Sequence, residues 1–133
     1  MDYALLLKEY NLKVTPQRLA IVEELNMHGH MNIDDLYHTL LVKFPSISLA
    51  TIYKNINAMI EKIFLNEVKI PNKKSVYELT KEEHSHVVCK KCNAIMDINL
   101  DTSKLLNEAK KISEFSLDEG AVIFAGICPK CSK

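Results

Sequence analysis

The sequence lacks an excess of charge of either sign. It carries 17 basic and 17 acidic side chains, and Arg18 is the single arginine among them. A general electrostatic attraction to nucleic acid is therefore excluded, and any DNA binding must depend on local contacts. A dimer, which doubles each contact, would compensate for this weak charge.

Long apolar runs are also missing. No segment approaches the roughly 20 apolar residues that a membrane span needs. The first ten residues, MDYALLLKEY, lack the basic region of a signal peptide. We therefore expect a cytoplasmic protein without a membrane partner. In a reducing cytoplasm, its four cysteines are expected to bind metal or to act in redox chemistry rather than to form structural disulfides.

The cysteines form two C-x2-C pairs separated by 35 residues. Two intervening residues bring both sulfurs of a pair to one side, and four thiolates complete the tetrahedron of a closed zinc site. Reactive redox pairs are an alternative, but the βαβ context of a thioredoxin-like motif is absent. A zinc deaminase would need H-x-E and P-C-x-x-C, whereas this chain has H-x-H and C-P-x-C. The spacing predicts a structural Zn(II) site formed by Cys89, Cys92, Cys128 and Cys131.

Two histidines, His84 and His86, stand just before the first cysteine pair, at the start of a predicted strand that contains Val87 and Val88. Residues i and i+2 of a strand point the same way, so both imidazoles can bind one ion, distinct from the ion bound by the cysteines. Exposed polar histidines at the start of a strand are the alternative, and this pair alone does not decide between the two.

The N-terminal half has a helical period. We expect a short first helix, a second that starts at Pro16 with Thr15 as N-cap, a third from about Asn32, and a fourth capped by Ser48. The apolar face of the fourth helix is predicted to contain Leu49, Ile52, Ile56, Met59, Ile60 and Ile63. The last two helices and their short connection fit a helix-turn-helix.

The opposite face of the fourth helix carries Thr51, Lys54 and Asn55. Asparagine can bind an adenine edge, and lysine can reach guanine or phosphate. The segment after the helix predicts a hairpin with a basic tip at residues 71–74, like the wing of a winged helix, which could contact the phosphate backbone. An ordinary amphipathic helix and a solvated turn remain the alternatives at this point.

The C-terminal half changes to a pattern of strand, strand, helix and strand, in which Thr102 or Ser103 is expected to cap the helix. The boundary between the halves is placed near Thr80. We therefore expect an α+β protein with one domain at residues 1–80 and a second at residues 81–133.

Five segments of the chain resemble, in the same order, the ferric uptake regulator (Fur) family of metal-dependent bacterial repressors. They are LKVTPQRLAIV, GHMNIDDLY, FPSISLATIYKNIN, HSHVVCKKC and GICPKC. The resemblance implies a winged helix-turn-helix DNA-binding domain, a C-terminal α/β dimerisation domain, and a homodimer on palindromic double-stranded operator DNA. It also places Lys13 at the minor groove and Tyr53 beside the other DNA-binding residues of the fourth helix.

The same resemblance implies a regulatory metal, Fe(II) or Mn(II), as well as the structural zinc. Its ligands by position are His30, Glu78, His84, His86 and Asp97. Mixed nitrogen and oxygen donors suit Fe(II), Mn(II) or Zn(II), and affinity order alone does not select among them. A third site found in iron-responsive members is expected to be absent, because the corresponding positions are Glu83, Ser85 and Gly120 and no histidine opens the last strand.

Asp97 is the type of ligand that peroxide-sensing members of the family carry at this position, where iron sensors tend to have glutamate. The resemblance therefore implies a repressor, not an enzyme, in which oxidation of His30 or His84 releases DNA. Glu78 departs from this pattern, since peroxide sensors often have aspartate there. Ile63 replaces a glycine that is usual in the family after the recognition helix. The alternatives are an iron-uptake or zinc-uptake regulator and, from another class, a metal-binding redox protein or enzyme without DNA function.

Overall fold

The computed structural model describes residues 2–133 and divides them into two compact units. The first unit ends at Lys81, and the second spans Glu82–Lys133. The first contains α1 (Tyr3–Glu9), α2 (Pro16–His28), β1 (Met31–Asn32), α3 (Ile33–Lys43), α4 (Leu49–Glu61), β2 (Leu65–Val68) and β3 (Val76–Leu79). The second contains β4 (Ser85–Cys89), β5 (Ile95–Ile98), α5 (Ser103–Ser113) and β6 (Ile123–Gly126). The chain is a mixed helix and sheet protein, in agreement with the expected α+β class.

The predicted N-cap residues mark where three helices of the first unit begin. The Thr15 hydroxyl accepts the backbone N–H of Arg18 at the start of α2, where Pro16 occupies the first turn. The Asn32 side chain accepts a backbone N–H at the start of α3, and Ser48 does the same at the start of α4. Each cap satisfies a backbone donor that the helix leaves without an intrahelical partner. Gly29 ends α2 with a φ of 80°, a conformation that glycine adopts without strain.

An antiparallel sheet with strand order β1-β3-β2 closes the first unit. The β2–β3 hairpin was predicted, but the two-residue β1 was not. In β1, Met31 pairs with Tyr77 of β3. This register continues the ladder so that His30 lies beside Glu78.

The core of the first unit lies between its helices and this sheet. Its fully buried side chains are Leu7, Ile21, Val22, Leu36, Leu40, Ile52, Ile56 and Met59. Two residues that were assigned to the apolar face of α4 lie outside this core. Leu49 is 38% exposed in the first turn, and Ile63 lies beyond the end of the helix, 65% exposed, with a φ of +60°. The assignment of Ile63 was wrong because it extended the helical period past the point where the chain turns.

The second unit is a three-stranded sheet of order β5-β4-β6, in which β4 pairs with β5 antiparallel and with β6 parallel. Only four of its residues are buried: Ser85, His86, Val88 and Cys89. The helix α5 buries none. This unit therefore has little apolar core of its own in a single chain.

Thr102, one of the two residues expected to cap α5, occupies its N-cap position but makes no side-chain capping bond. The Asp101 carboxylate instead accepts the backbone N–H of Ser103 at 3.0 Å and its hydroxyl at 2.6 Å, and these bonds lower the pKa of Asp101. Among the helices within residues 2–133, none has the length and apolar character to cross a membrane.

Candidate metal centres and nucleic-acid face

The four cysteines come together at one end of the second sheet. Cys89 ends β4, and its register partner Gly126 ends β6, two residues before Cys128. The four sulfurs all lie within 4.8 Å of one another, and Cys92 Sγ is 3.8 Å from Cys128 Sγ. A tetrahedron with Zn–S bonds of about 2.3 Å has sulfurs about 3.8 Å apart. The donor set and its spacing therefore fit a tetrathiolate zinc site.

Backbone amides stabilise negative charge on these sulfurs. The N–H groups of Cys92 and Cys128 each donate to Cys89 Sγ at 3.4 Å, and these bonds lower the pKa of Cys89 to about 6. By contrast, contact with the neighbouring sulfurs, above all Cys128, raises the pKa of Cys131 to about 12. The protein alone thus favours some thiolates but not four, and a cation is needed to hold all of them deprotonated.

The first cysteine pair forms the turn between β4 and β5. Asn93 adopts a φ of 65°, and its N–H donates to the Cys89 carbonyl at 3.0 Å. Asparagine tolerates this left-handed conformation better than most residues.

A second group of ligand-type side chains lies on the β4–β5 ladder. His86 pairs with Asp97 in register, and His84 stands two residues earlier, on the same face. Asp97 Oδ1 is 3.2 Å from His86 Nε2 and 3.6 Å from His84 Nε2. The side chains of both histidines are less than 10% exposed. The alternative of two exposed polar histidines is therefore wrong.

The tautomer of His84 is set by its other ring nitrogen. Nδ1 lies 2.7 Å from the Glu82 carbonyl oxygen and can only donate to it. In the neutral imidazole, Nε2 would then carry the lone pair, and it lies on the side of Asp97. Metal-binding histidines are commonly oriented by such a bond to a backbone carbonyl.

A third pair, His30 and Glu78, lies in the first unit. His30 Nε2 is 2.9 Å from Glu78 Oε2, and the Glu78 side chain is only 3% exposed. A carboxylate so deeply buried requires a cationic or hydrogen-bonding partner. The two-residue strand β1 places His30 at this position, although it was too short to predict from sequence.

The predicted DNA-binding residues occupy the surface of the first unit. Lys13, Thr51 and Lys54 are exposed, and Tyr53 is 39% exposed. The Thr51 hydroxyl lies 2.9 Å from the capping hydroxyl of Ser48. Four of the predicted residues are thus accessible to a ligand such as DNA.

Asn55 differs from the other residues on this surface because it is only partly exposed and its amide is engaged. Its Oδ1 accepts from Arg18 Nε at 3.0 Å, and its Nδ2 donates to the Thr51 carbonyl at 3.0 Å. Arg18 was not among the residues expected on this surface. The only indication in the sequence was that Arg18 is the single arginine of the chain.

The tip of the β2–β3 hairpin is less basic than its sequence suggests. The Lys74 ammonium forms an ion pair with Asp34 in the first turn of α3, and this contact raises the pKa of Lys74. Asn72 adopts a φ of 62° within the turn. One of the two lysines at the tip is thus neutralised from within the unit.

Comparisons with known proteins show which family the chain belongs to. The model of the ferric uptake regulator family matches residues 9–125. The peroxide operon regulator of Bacillus subtilis is 34% identical over 131 residues, which cover 96% of this chain and 89% of that protein. The solved structure of the Campylobacter jejuni peroxide stress regulator matches with a TM-score of 0.71 and a sequence identity of 38%. The match covers 98% of this chain and 100% of that chain. The structure of the Vibrio cholerae ferric uptake regulator is 28% identical, with a TM-score of 0.77 over 96% of this chain and 100% of that chain. This chain belongs to the ferric uptake regulator family.

Proposed function

We propose that this protein is a metal-dependent transcriptional repressor that binds operator DNA and releases it in response to peroxide. It is a regulator and not an enzyme. The observation that carries the proposal is the convergence of His84 Nε2 and His86 Nε2 on one oxygen of Asp97. The relatives named for peroxide regulation support it, since they match nearly the whole chain.

The first unit is the proposed winged helix-turn-helix domain, at residues 1–80. In this assignment α4 is the recognition helix, and the β2–β3 hairpin is the wing. Lys13, Thr51, Tyr53, Lys54 and Asn55 form the surface that faces double-stranded DNA. The formal charge of zero means that few phosphate contacts are available, so binding should depend on two copies acting on one operator.

Residues 81–133 are the proposed dimerisation domain. Met96, Val87 and Phe124 form a row across β5, β4 and β6, and Met96 and Phe124 are 63% and 53% exposed. Leu105 and Ile112 add an exposed apolar stripe on α5. A unit with only four buried residues and this much exposed apolar surface gains a core when a second copy covers it.

Structural Zn(II) is the proposed occupant of the four-cysteine site. The sulfur spacing supports this assignment, together with the amide bonds to Cys89. The site joins the ends of β4 and β6 and the turn between β4 and β5. Zinc should therefore stabilise the sheet and, with it, the dimer.

Fe(II) or Mn(II) is the proposed regulatory metal, bound by His30, Glu78, His84, His86 and Asp97. Within the first unit His30 already contacts Glu78, and within the second both histidines contact Asp97. An ion bound by ligands from both units would favour one relative orientation of the two. It would thereby set the separation of the two α4 helices in the dimer.

Peroxide would end repression by oxidising His30 or His84. When bound, Fe(II) would supply the one-electron chemistry that cleaves the peroxide O–O bond, and it would be regenerated when the ring gives up its second electron. Overall, peroxide would add one oxygen atom to the imidazole ring, which is oxidised by two electrons, and the other oxygen atom would leave as water. The altered ring is a weaker ligand, so the metal-bound orientation is lost.

A regulator of iron uptake is the second candidate. Glu78 favours it, since peroxide-sensing members often have aspartate at this position. A zinc-uptake regulator remains a further alternative within the family. A redox protein or enzyme of another class would show no selective DNA binding.

The test compares two metals with and without peroxide. Protein loaded with Fe(II) should bind a DNA duplex selected from a random library, release it after peroxide, and gain one oxygen atom in the peptide that contains His30 or His84. Protein loaded with Mn(II) should bind the same duplex and keep both peptides unchanged. Metal-dependent binding that peroxide does not affect would favour an iron-uptake regulator, and the absence of any selected duplex would contradict a DNA-binding function.

A further inference from the structure

Three polar groups and the only arginine of the chain form one hydrogen-bonded unit on the DNA-facing surface. Arg18 Nε donates to Asn55 Oδ1 and Arg18 Nη1 donates to the Lys13 carbonyl, each at 3.0 Å. Asn55 Nδ2 in turn donates to the Thr51 carbonyl at 3.0 Å. We call Arg18, Asn55 and these two carbonyls the Arg18 bracket. It joins the loop before α2, the first turn of α2, and α4.

The bracket changes what Asn55 can do on DNA. An asparagine that reads adenine uses its amide oxygen and its amide nitrogen together. In this protein the oxygen accepts from Arg18 and the nitrogen donates to the Thr51 carbonyl. These two bonds fix the plane of the amide, and each amide group keeps the capacity for only one further bond. The side chain is also only partly exposed, so a base could be contacted only in the single orientation that the bracket imposes.

Arginine is suited to this position because of its shape. The guanidinium group presents five N–H donors in a rigid plane, so one side chain can reach acceptors on two separate segments. Lysine has the same charge but a single flexible ammonium, which does not reproduce the planar fork. Replacing Arg18 by lysine therefore separates the effect of charge from the effect of geometry.

We infer that Asn55 is a positioning residue rather than a base-reading residue, and that Arg18 acts through it to set the angle of α4 relative to the loop that carries Lys13. This inference rests on the proposed DNA-binding function. The bracket holds the exposed side chains of α4 at a fixed position relative to Lys13, so that both segments contact one stretch of duplex together. Sequence discrimination then depends on Arg18, although Arg18 itself contacts no base.

The experiment uses the full-length protein loaded with Mn(II) and a duplex that this protein selects from a random library. The dissociation constant is measured for that duplex and for a scrambled duplex of the same composition, and their ratio is the discrimination. The variants are Arg18→Lys, Asn55→Ala, Asn55→Asp and the double variant Arg18→Lys/Asn55→Ala. Asn57→Ala is the matched control, since Asn57 is an exposed asparagine on the same helix. Thermal unfolding of each variant is recorded in parallel.

The inference makes opposite predictions for the two substitutions of Asn55. Asn55→Ala removes the acceptor for Arg18, so discrimination should fall about tenfold, a typical value for a lost specific contact. Asn55→Asp loses the donor to the Thr51 carbonyl, a bond within α4, but keeps the acceptor that links α4 to Arg18. The added negative charge should therefore weaken binding to both duplexes by the same factor and leave the ratio unchanged. Arg18→Lys should lower the ratio as much as Asn55→Ala does, and the double variant should lower it no further. Asn57→Ala should match the parent.

Two results would overturn the inference. Discrimination that falls in Asn55→Asp but survives in Arg18→Lys would mean that Asn55 reads a base directly. Parental discrimination in all the variants would mean that the bracket has no part in recognition. If Arg18→Lys is unstable, Asn55→Asp alone still separates positioning from direct reading. A parent protein that selects no duplex would refute the DNA-binding function itself, a result distinct from the other two.

Discussion

Ile63 occupies a backbone conformation that a β-branched residue rarely adopts. Its φ is +60°, and it follows Lys62, the C-cap of α4. The N–H of Ile63 donates to the Ile60 carbonyl and the N–H of Phe64 donates to the Met59 carbonyl, both at 2.9 Å. These are the two bonds of a Schellman motif, in which glycine or asparagine normally takes the left-handed position.

The size of the strain can be estimated from the structure. A left-handed residue with a side chain costs roughly 1–2 kcal/mol, and asparagine is among the few types that adopt this conformation routinely. Ile63 is 65% exposed, so only about a third of its side chain is buried. Full burial contributes about 1.5–3 kcal/mol, which makes the loss on removal about 0.5–1 kcal/mol. Ile63→Asn should therefore stabilise the protein by about 0.5–1 kcal/mol.

The matched control is Ile63→Ala, which removes the same partly buried side chain but keeps most of the left-handed strain. It should be less stable than Ile63→Asn by about 1 kcal/mol. Asn11, which follows α1 with a φ of 59°, provides the reverse experiment. Asn11→Ala should lower stability by a similar amount.

Urea unfolding of the zinc-loaded protein, followed by helical circular dichroism at one protein concentration, measures these differences. Four of the five helices lie in the first unit, so the signal reports mainly on the unit that contains Ile63. If Ile63→Asn and Ile63→Ala unfold at the same urea concentration, the left-handed backbone is not strained and the reasoning fails.

Four further predictions concern metal, DNA and dimer. Cys92→Ser should lose zinc and dissociate to monomers, measured by metal analysis and light scattering; a zinc-free dimer would contradict the structural role of the site. Asp97→Glu should retain metal-dependent DNA binding but suppress oxidation of the histidine peptides, and undiminished oxidation in mass spectrometry would mean that the choice of aspartate over glutamate at this position does not determine peroxide sensitivity. Lys13→Ala should weaken selected and random duplexes by the same factor, whereas a loss confined to the selected duplex would indicate base reading. Phe124→Glu should place a charge on the exposed row of the second sheet and raise the dimer dissociation constant by at least tenfold, and an unchanged constant would locate the interface elsewhere.

Local chemistry explains which parts of the fold could be predicted. Thr15, Asn32 and Ser48 marked helix starts correctly, because a cap depends on residues only a few positions away. The spacing of His84 and His86 was equally informative, since the period of a strand places both on one face.

The features that were missed depend on distant partners. The strand β1 exists because two residues pair with β3, and two residues carry no periodicity. Arg18 and Asn55 are 37 positions apart, so their hydrogen bond has no signal in either segment alone. The exposed position of Ile63 follows from where α4 ends, and helix ends are less certain than helix cores when they are predicted from periodicity.

The β4–β5 hairpin carries residues of both proposed metal sites, and this shared location has a consequence for signalling. Its turn contains Cys89 and Cys92, and its ladder pairs His86 with Asp97. A slip of one residue between the two strands would move Asp97 to the opposite face of the sheet, away from both histidines. A metal bound at the cysteine turn would therefore keep the two strands in the register that brings Asp97 to the histidines of the proposed regulatory site. Damage to the thiols should silence the metal response even while every histidine remains chemically intact.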